Sequence, residues 1–138
     1  MNRTRILTIF FRGITLLLWM GVIFFFSSLS GNPQSTEMPL SFYIERKGAH
    51  IVEYMILCLL AIRFFSAVSS RRVFPTVFLV AFVFSIMYGI SDEFHQSFVP
   101  YRGPKLTDVL IDASGALLGC IFSYVFYRFR NGSDKVKK

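Results

Sequence analysis

The sequence predicts an all-α membrane protein, a compact bundle of four transmembrane helices with both termini in the cytoplasm. Three observations lead there. The 138 residues are 54% hydrophobic and 17% aromatic, with a mean hydropathy of +0.54, and a soluble domain of this size rarely carries so much apolar surface. The apolar residues fall into four runs, each near the ~20 residues a helix needs to cross the hydrocarbon layer. The basic residues sit in short clusters at the ends of those runs, which is how topology signals look. The formal charge of +7 is therefore read as a topology signal, and nucleic acid is not expected as a partner.

The first helix is expected over about 6–28, within a stretch from Gly13 to Thr36 that holds no charge. A competing reading is a cleaved signal peptide ending at Ser28-Leu29-Ser30. Serine is a weaker cleavage residue than alanine, so a retained helix is preferred. The loop from Gly31 to Ser41 holds Gly, Asn, two Pro and Ser, and is read as irregular. The second helix is expected over about 48–65. The third covers about 73–91, with Pro75 in its first turn, where proline is tolerated. The fourth covers about 108–127. A basic cytoplasmic tail follows over 128–138, its polar end from Asn131 onward read as disordered near anionic headgroups. One domain is expected over 1–138, and no internal repeat is visible.

Charge sets the orientation. Arg3, Arg5 and Arg12 precede the first helix. Arg63, Arg71 and Arg72 join the second and third. Arg128, Arg130, Lys135, Lys137 and Lys138 follow the fourth. The other side holds only Arg46, Lys47, Arg102 and Lys105. The positive-inside rule places the rich side, and both termini, in the cytoplasm. Cys58 and Cys120 lie inside apolar runs, where free cysteine behaves as a small hydrophobe. Their spacing gives no zinc signal, and a disulfide is not expected.

The polar residues carry the functional signal. Ser91-Asp92-Glu93-Phe94-His95-Gln96 follows directly on the uncharged run Val73 to Ile90. His50 and Glu53 open the second run, and Asp108 and Asp112 open the fourth. With alternating helices, these groups all fall on the outer side at similar depth. Ionisable groups at such positions usually face a bundle interior or a watery cavity, and they mark function. His50 and Glu53, spaced i, i+3, share a helix face. Asp108 and Asp112 continue into Gly115 and Gly119, a pair that lets another helix approach closely. Asp112 is therefore expected to point into the bundle. Asp92, His95 and Gln96 share a face if the third helix continues through them.

Arg46-Lys47 and Arg102 with Lys105 border these acids. They can pair with the carboxylates or bind a phosphate or carboxylate on a ligand. Simpler roles exist for each group: Glu53 or Asp112 in a buried ion pair with Arg46 or Arg102, Asp108 as a helix-start acid, and His95 bonded to a neighbouring carboxylate. Ser27 and Ser28 either close the first helix or line the site. Phe24 to Phe26 and Phe82 to Phe84 are read as lipid or packing faces, and Trp19 as a mid-helix packing residue.

The run ISDEFHQSFVPYRGPKLTDVLIDASGALLG, Ile90 to Gly119, resembles the signature of the VanZ-like membrane protein family. So do Phe26-Ser27-Ser28 and Arg46-Lys47-Gly48-Ala49-His50-Ile51-Val52-Glu53-Tyr54. The likeness covers about residues 14 to 127, in order, on all four helices. Tyr101 departs from it, standing where a glycine is expected before the arginine. The family takes its name from a protein of glycopeptide-resistance clusters in Gram-positive bacteria, which raises resistance to teicoplanin without rebuilding the peptidoglycan terminus. The resemblance implies a cell-membrane location. By matching motif positions, it implies a site at Arg46, Lys47, His50, Glu53, Asp92, Glu93, His95, Gln96, Arg102, Asp108 and Asp112.

Two readings of that site come first. One is a protein that binds a lipid-linked envelope precursor, or reduces exposure of lipoglycopeptide targets, through an outer polar pocket. The alternative is a membrane-embedded enzyme with Asp92, His95 or Asp112 as the acid-base group and Arg102 stabilising negative charge. The spacings His-x-x-Glu, Asp-Glu-x-His and Asp-x-x-x-Asp match no recognised metal site, so no metal or cofactor is expected. A proton-coupled carrier fits less well, because the acids cluster at one end and transport sites lie near the midplane with repeats.

Overall fold

The computed structural model describes residues 2–31, 40–69 and 74–133. Four helices cover them: α1 Arg3–Ser27, α2 Leu40–Val68, α3 Phe74–Gln96 and α4 Leu106–Ser133. All four are long and apolar enough to cross a membrane. No strand occurs among the described residues. Only a minority of each span is buried, Phe24 to Phe26 are exposed, and this outward apolar surface is what lipid accepts. Phe82 and Phe84 instead lean on the core.

Three helices outrun their expected ends. α2 starts at Leu40, so Arg46 and Lys47 are helical and not in a loop. α3 continues to Gln96, and α4 to Ser133, into the expected tail. The reason is physical. Hydropathy marks where hydrocarbon ends, whereas a helix continues through polar residues until backbone chemistry stops it. The remainder of the expected irregular segment, 32–39, and of the tail, 134–138, lies outside the described residues.

Polar contacts at the two ends show the alternation of the helices. At one end, Arg5 Nη2 donates to the Val68 carbonyl at 3.0 Å, and Arg12 Nη1 to that of Arg63 at 2.7 Å. The Val68 carbonyl is one that a helix C-terminus leaves without an intrahelical partner. At the other end, Arg102 Nη1 donates to the Ser27 carbonyl at 3.0 Å. α2 and α4 therefore run parallel. α2 packs against each of the other three helices, while α1 and α4 do not touch among the described residues.

The α2–α4 seam is the most extensive helix pairing among the described residues. A Cβ on Gly115 would stand 2.4 Å from the Ile51 carbonyl oxygen, and one on Gly119 would stand 2.7 Å from that of Met55. Without a hydrophobic drive between helices in lipid, such close backbone approach supplies the packing attraction. α1 is held more lightly. Only Leu16, Ile23 and Ser27 of it are buried, and side-chain bonds supplement them. Trp19 Nε1 donates to the Glu53 carbonyl at 2.9 Å, and Tyr88 OH to that of Met20 at 2.7 Å. Trp19 is thus more than a packing residue. Cys58 and Cys120 are both free, their sulfurs 3.5 Å apart across the α2–α4 seam.

Candidate functional site

The end of the bundle where α1 finishes and α4 begins gathers most of the candidate residues. A cavity of about 520 Å³ opens there. Its walls come from Ile23 to Gly31 on α1 and beyond, from Arg46, Ala49, His50 and Glu53 on α2, from Asp92 on α3, and from Arg102 in the connection to α4. The i, i+3 spacing of His50 and Glu53 does put both on one wall, and Arg46 lies one turn before His50.

Behind that wall, the parallel helices are pinned by two charged contacts. Lys47 Nζ pairs with Asp108 Oδ1. His50 Nδ1 lies 3.1 Å from Asp112 Oδ1. With Asp112 accepting, Nδ1 carries the hydrogen. Asp112 is 1% exposed and points into the bundle, as the glycine stripe implied. Its second oxygen has no hydrogen-bond partner and sits where a Cβ on Gly89 would be 3.3 Å away. Asp108 is in the first turn of α4, as the helix-start reading has it, and is in an ion pair as well.

The expected pairing of Glu53 or Asp112 with Arg46 or Arg102 does not occur. The ion pairs between described residues join Asp108 to Lys47 and Asp112 to His50. The parallel register of α2 on α4 decides this, because it brings Lys47 and His50, one turn apart, opposite Asp108 and Asp112, also one turn apart.

On α3, Asp92, Glu93 and Gln96 are all buried. Gln96 Nε2 donates to Asp92 Oδ2 at 2.8 Å, while Asp92 Oδ1 has no partner. Glu93 Oε2 accepts the Lys105 backbone N–H at 2.7 Å, which fastens the connection that carries Arg102. His95 departs from expectation. Its Nε2 lies 3.1 Å from Ser28 Oγ, and its ring stacks on Phe24 with centroids 4.4 Å apart. The Ser28 hydroxyl hydrogen is directed to the Phe24 carbonyl, so His95 Nε2 is the donor. His95 ties α3 to α1 outside the cavity and meets no carboxylate.

Arg102 is the best-placed cation. Nη1 and Nη2 donate to the carbonyls of Ser27 and Phe26 at 3.0 and 3.4 Å, while Nε is buried without a partner. Burial, and then the positive charge of Arg46, push its pKa below the usual arginine value, against the pull of Asp92, Glu93 and Glu53. The backbone just before it is unusual. Tyr101 has φ 59°, the left-handed region. That accounts for the glycine expected there. Gly31 locks onto the same turn. Its N–H donates to the Pro100 carbonyl at 3.0 Å, and a Cβ on it would stand 2.1 Å from the Tyr101 oxygen.

Of the two roles considered for Ser27, it takes the second, lining the cavity with its hydroxyl buried and unpartnered among the described residues. One residue beside the site escaped the sequence-based selection. Tyr54 is completely buried with an unpartnered OH, its ring edge 3.3 Å from where a Cβ on Gly89 would be. Its signal was available, since it stands i+4 from His50. No group of three His, Cys, Asp or Glu among the described residues is arranged to hold a metal ion.

Four apolar spans with one polar end, together with the ordered motifs, are matched by a family model described as VanZ/LLP1 over residues 12–127. The chain belongs to the VanZ family. That match spans all four helices and every candidate site residue. No curated protein and no solved structure matches the chain. This VanZ-family chain is thus a multi-pass membrane protein.

Proposed function

We propose that this VanZ-family chain acts at the outer face of the cell membrane, where its polar cavity holds the anionic head of a lipid-linked envelope precursor and so lowers the exposure of lipoglycopeptide targets such as those of teicoplanin. One observation carries the proposal: Arg46 and Arg102 line the cavity and neither is ion-paired to a described residue. Unpaired cations in a partly buried, mostly apolar pocket are suited to a phosphate or carboxylate. The orientation rests on the basic clusters at the opposite end, and the exposed apolar flanks give a lipid-linked molecule lateral access.

Teicoplanin susceptibility in a sensitive Gram-positive host tests the reading. The host would express the intact chain, Asp112→Asn or Arg102→Gln at matched membrane levels. Protection by the intact chain alone supports an envelope role for the cavity. Protection that survives both substitutions refutes it.

A second reading is an enzyme acting on the same class of lipid-linked molecule. The favouring observation is His50, held by Asp112 through Nδ1 with its ring on the cavity wall, the arrangement in which a carboxylate orients an imidazole for proton transfer. Asp112 and His50 replace Asp92 and His95 as the acid-base candidates. Conversion of a lipid-linked precursor by purified protein separates this reading from binding alone.

A further inference from the structure

The cavity holds more than cations. Arg46, Arg102, Glu53 and Asp92 all line it. None of the four forms an ion pair with a described residue, although Lys47 is paired with Asp108 and His50 with Asp112 nearby. The partners they do have are neutral. Arg102 donates to two backbone carbonyls, and Asp92 accepts from the Gln96 amide. Asp92 is 4% exposed, and its Oδ1 has no hydrogen-bond partner among the described residues. Two cations and two carboxylates thus share one space without neutralising each other. Unpaired charge in a low-dielectric site is costly, and persists where a ligand completes it.

A purely anionic ligand would meet Glu53 and Asp92 and be repelled. A purely cationic one would meet Arg46 and Arg102. A ligand bearing both signs satisfies all four. We infer that the cavity binds a phosphodiester that carries a primary ammonium group close by, with the phosphate between Arg46 and Arg102 and the ammonium donating to Glu53 and Asp92. The volume of about 520 Å³ lies in the usual range for small-molecule sites, and a phosphoethanolamine head fits within it. The three N–H donors of an ammonium suit the free Oδ1 of Asp92 and the Glu53 carboxylate together. This rests on the anion-binding reading above and adds the second charge to it.

The test uses the full chain in a nonionic maltoside micelle with short-chain lipids. Dihexanoyl phosphatidylethanolamine offers both groups. Dihexanoyl phosphatidylglycerol lacks the amine, and dihexanoyl phosphatidylcholine lacks its N–H donors. The ethanolamine lipid is expected to bind at least about tenfold tighter than the other two. Glu53→Gln is expected to remove that preference, by weakening the ethanolamine lipid and easing the repulsion of phosphatidylglycerol, and Arg102→Gln to weaken all three. Free glycerophosphoethanolamine, the same diester without acyl chains, identifies the source: equal binding points to a soluble ligand, and binding of the chained form alone points to a lipid. Equal, Arg102-dependent binding of all three lipids would overturn the ammonium site and leave the anion site standing. Binding that ignores Arg102→Gln overturns both. The comparison among lipids on the unaltered chain decides the matter even if a variant fails to fold.

Discussion

His50 Nδ1 stands 3.1 Å from Asp112 Oδ1, joining two parallel helices immediately behind the cavity wall. The two residues lie 62 positions apart in sequence, yet one contact fixes both the register of α2 on α4 and the ring orientation of His50. Helix packing and the geometry of the proposed site are therefore coupled at this pair.

That coupling is measurable. Removing one partner of a buried charged pair costs about 3–5 kcal/mol, because the other is left uncompensated. Asp112→Ala and His50→Ala are each expected to destabilise strongly. Together they are expected to cost less than the sum, with a coupling of about 1–3 kcal/mol. Unfolding in mixed micelles across the double-mutant cycle reads this directly. Costs that simply add would show that the two side chains do not depend on each other.

The glycine seam gives a second prediction with a built-in control. Gly115→Ala places a methyl 2.4 Å from the Ile51 oxygen, so α2 and α4 must part. Overpacking of this kind costs about 1–3 kcal/mol. Gly21→Ala meets nothing within 4 Å, and replacing a mid-helix glycine there is expected to gain about 0.5–1 kcal/mol. Thermal unfolding of the two variants should move in opposite directions. A loss of equal size in both would mean that the seam is not special.

Much of this was legible in the sequence, and the remainder failed for a consistent reason. The four helices follow from hydropathy, and the gathering of acids at one end follows from helix alternation. Gly115 and Gly119, one turn apart, announced the packing face of α4, and with it the burial of Asp112. What could not be read was anything set by register between helices. The sequence offers His50, Lys47, Arg46 and Arg102 as equal partners for the acids. Only the parallel seating of α2 on α4 selects Lys47 for Asp108 and His50 for Asp112. His95 fails similarly. A helix wheel puts it with Asp92, but its Nε2 bonds instead to Ser28 at the end of α1.

Tyr101 supplies a prediction about the loop that positions Arg102. A non-glycine residue in the left-handed region costs roughly 1–2 kcal/mol. Glycine escapes that cost but loses roughly 0.5–1 kcal/mol through its freer unfolded chain. The Tyr101 side chain is 70% exposed, so little packing is sacrificed. Tyr101→Gly is expected to be neutral or stabilising by up to about 1 kcal/mol, and Tyr101→Val, β-branched, to destabilise. Melting temperatures in detergent check the order. A clear loss in the glycine variant would mean that the Tyr101 side chain itself holds the turn.

The two thiols test the α2–α4 register without touching the cavity. Cys58 Sγ and Cys120 Sγ are 3.5 Å apart, and a bond needs about 2.05 Å, a gap that side-chain rotation can close between helices already in backbone contact. Membranes holding the chain, treated with copper phenanthroline, are expected to yield an intramolecular disulfide. Each thiol gives up one proton and one electron to the copper–oxygen oxidant. Alkylation after denaturation should then label neither cysteine, and reduction should restore both labels. Cys58→Ser is expected to leave Cys120 fully labelled under the same treatment. If both cysteines of the unaltered chain stay open to alkylation, α4 does not sit on α2 in the register that also brings Asp112 to His50, and the pairing behind the cavity falls with it.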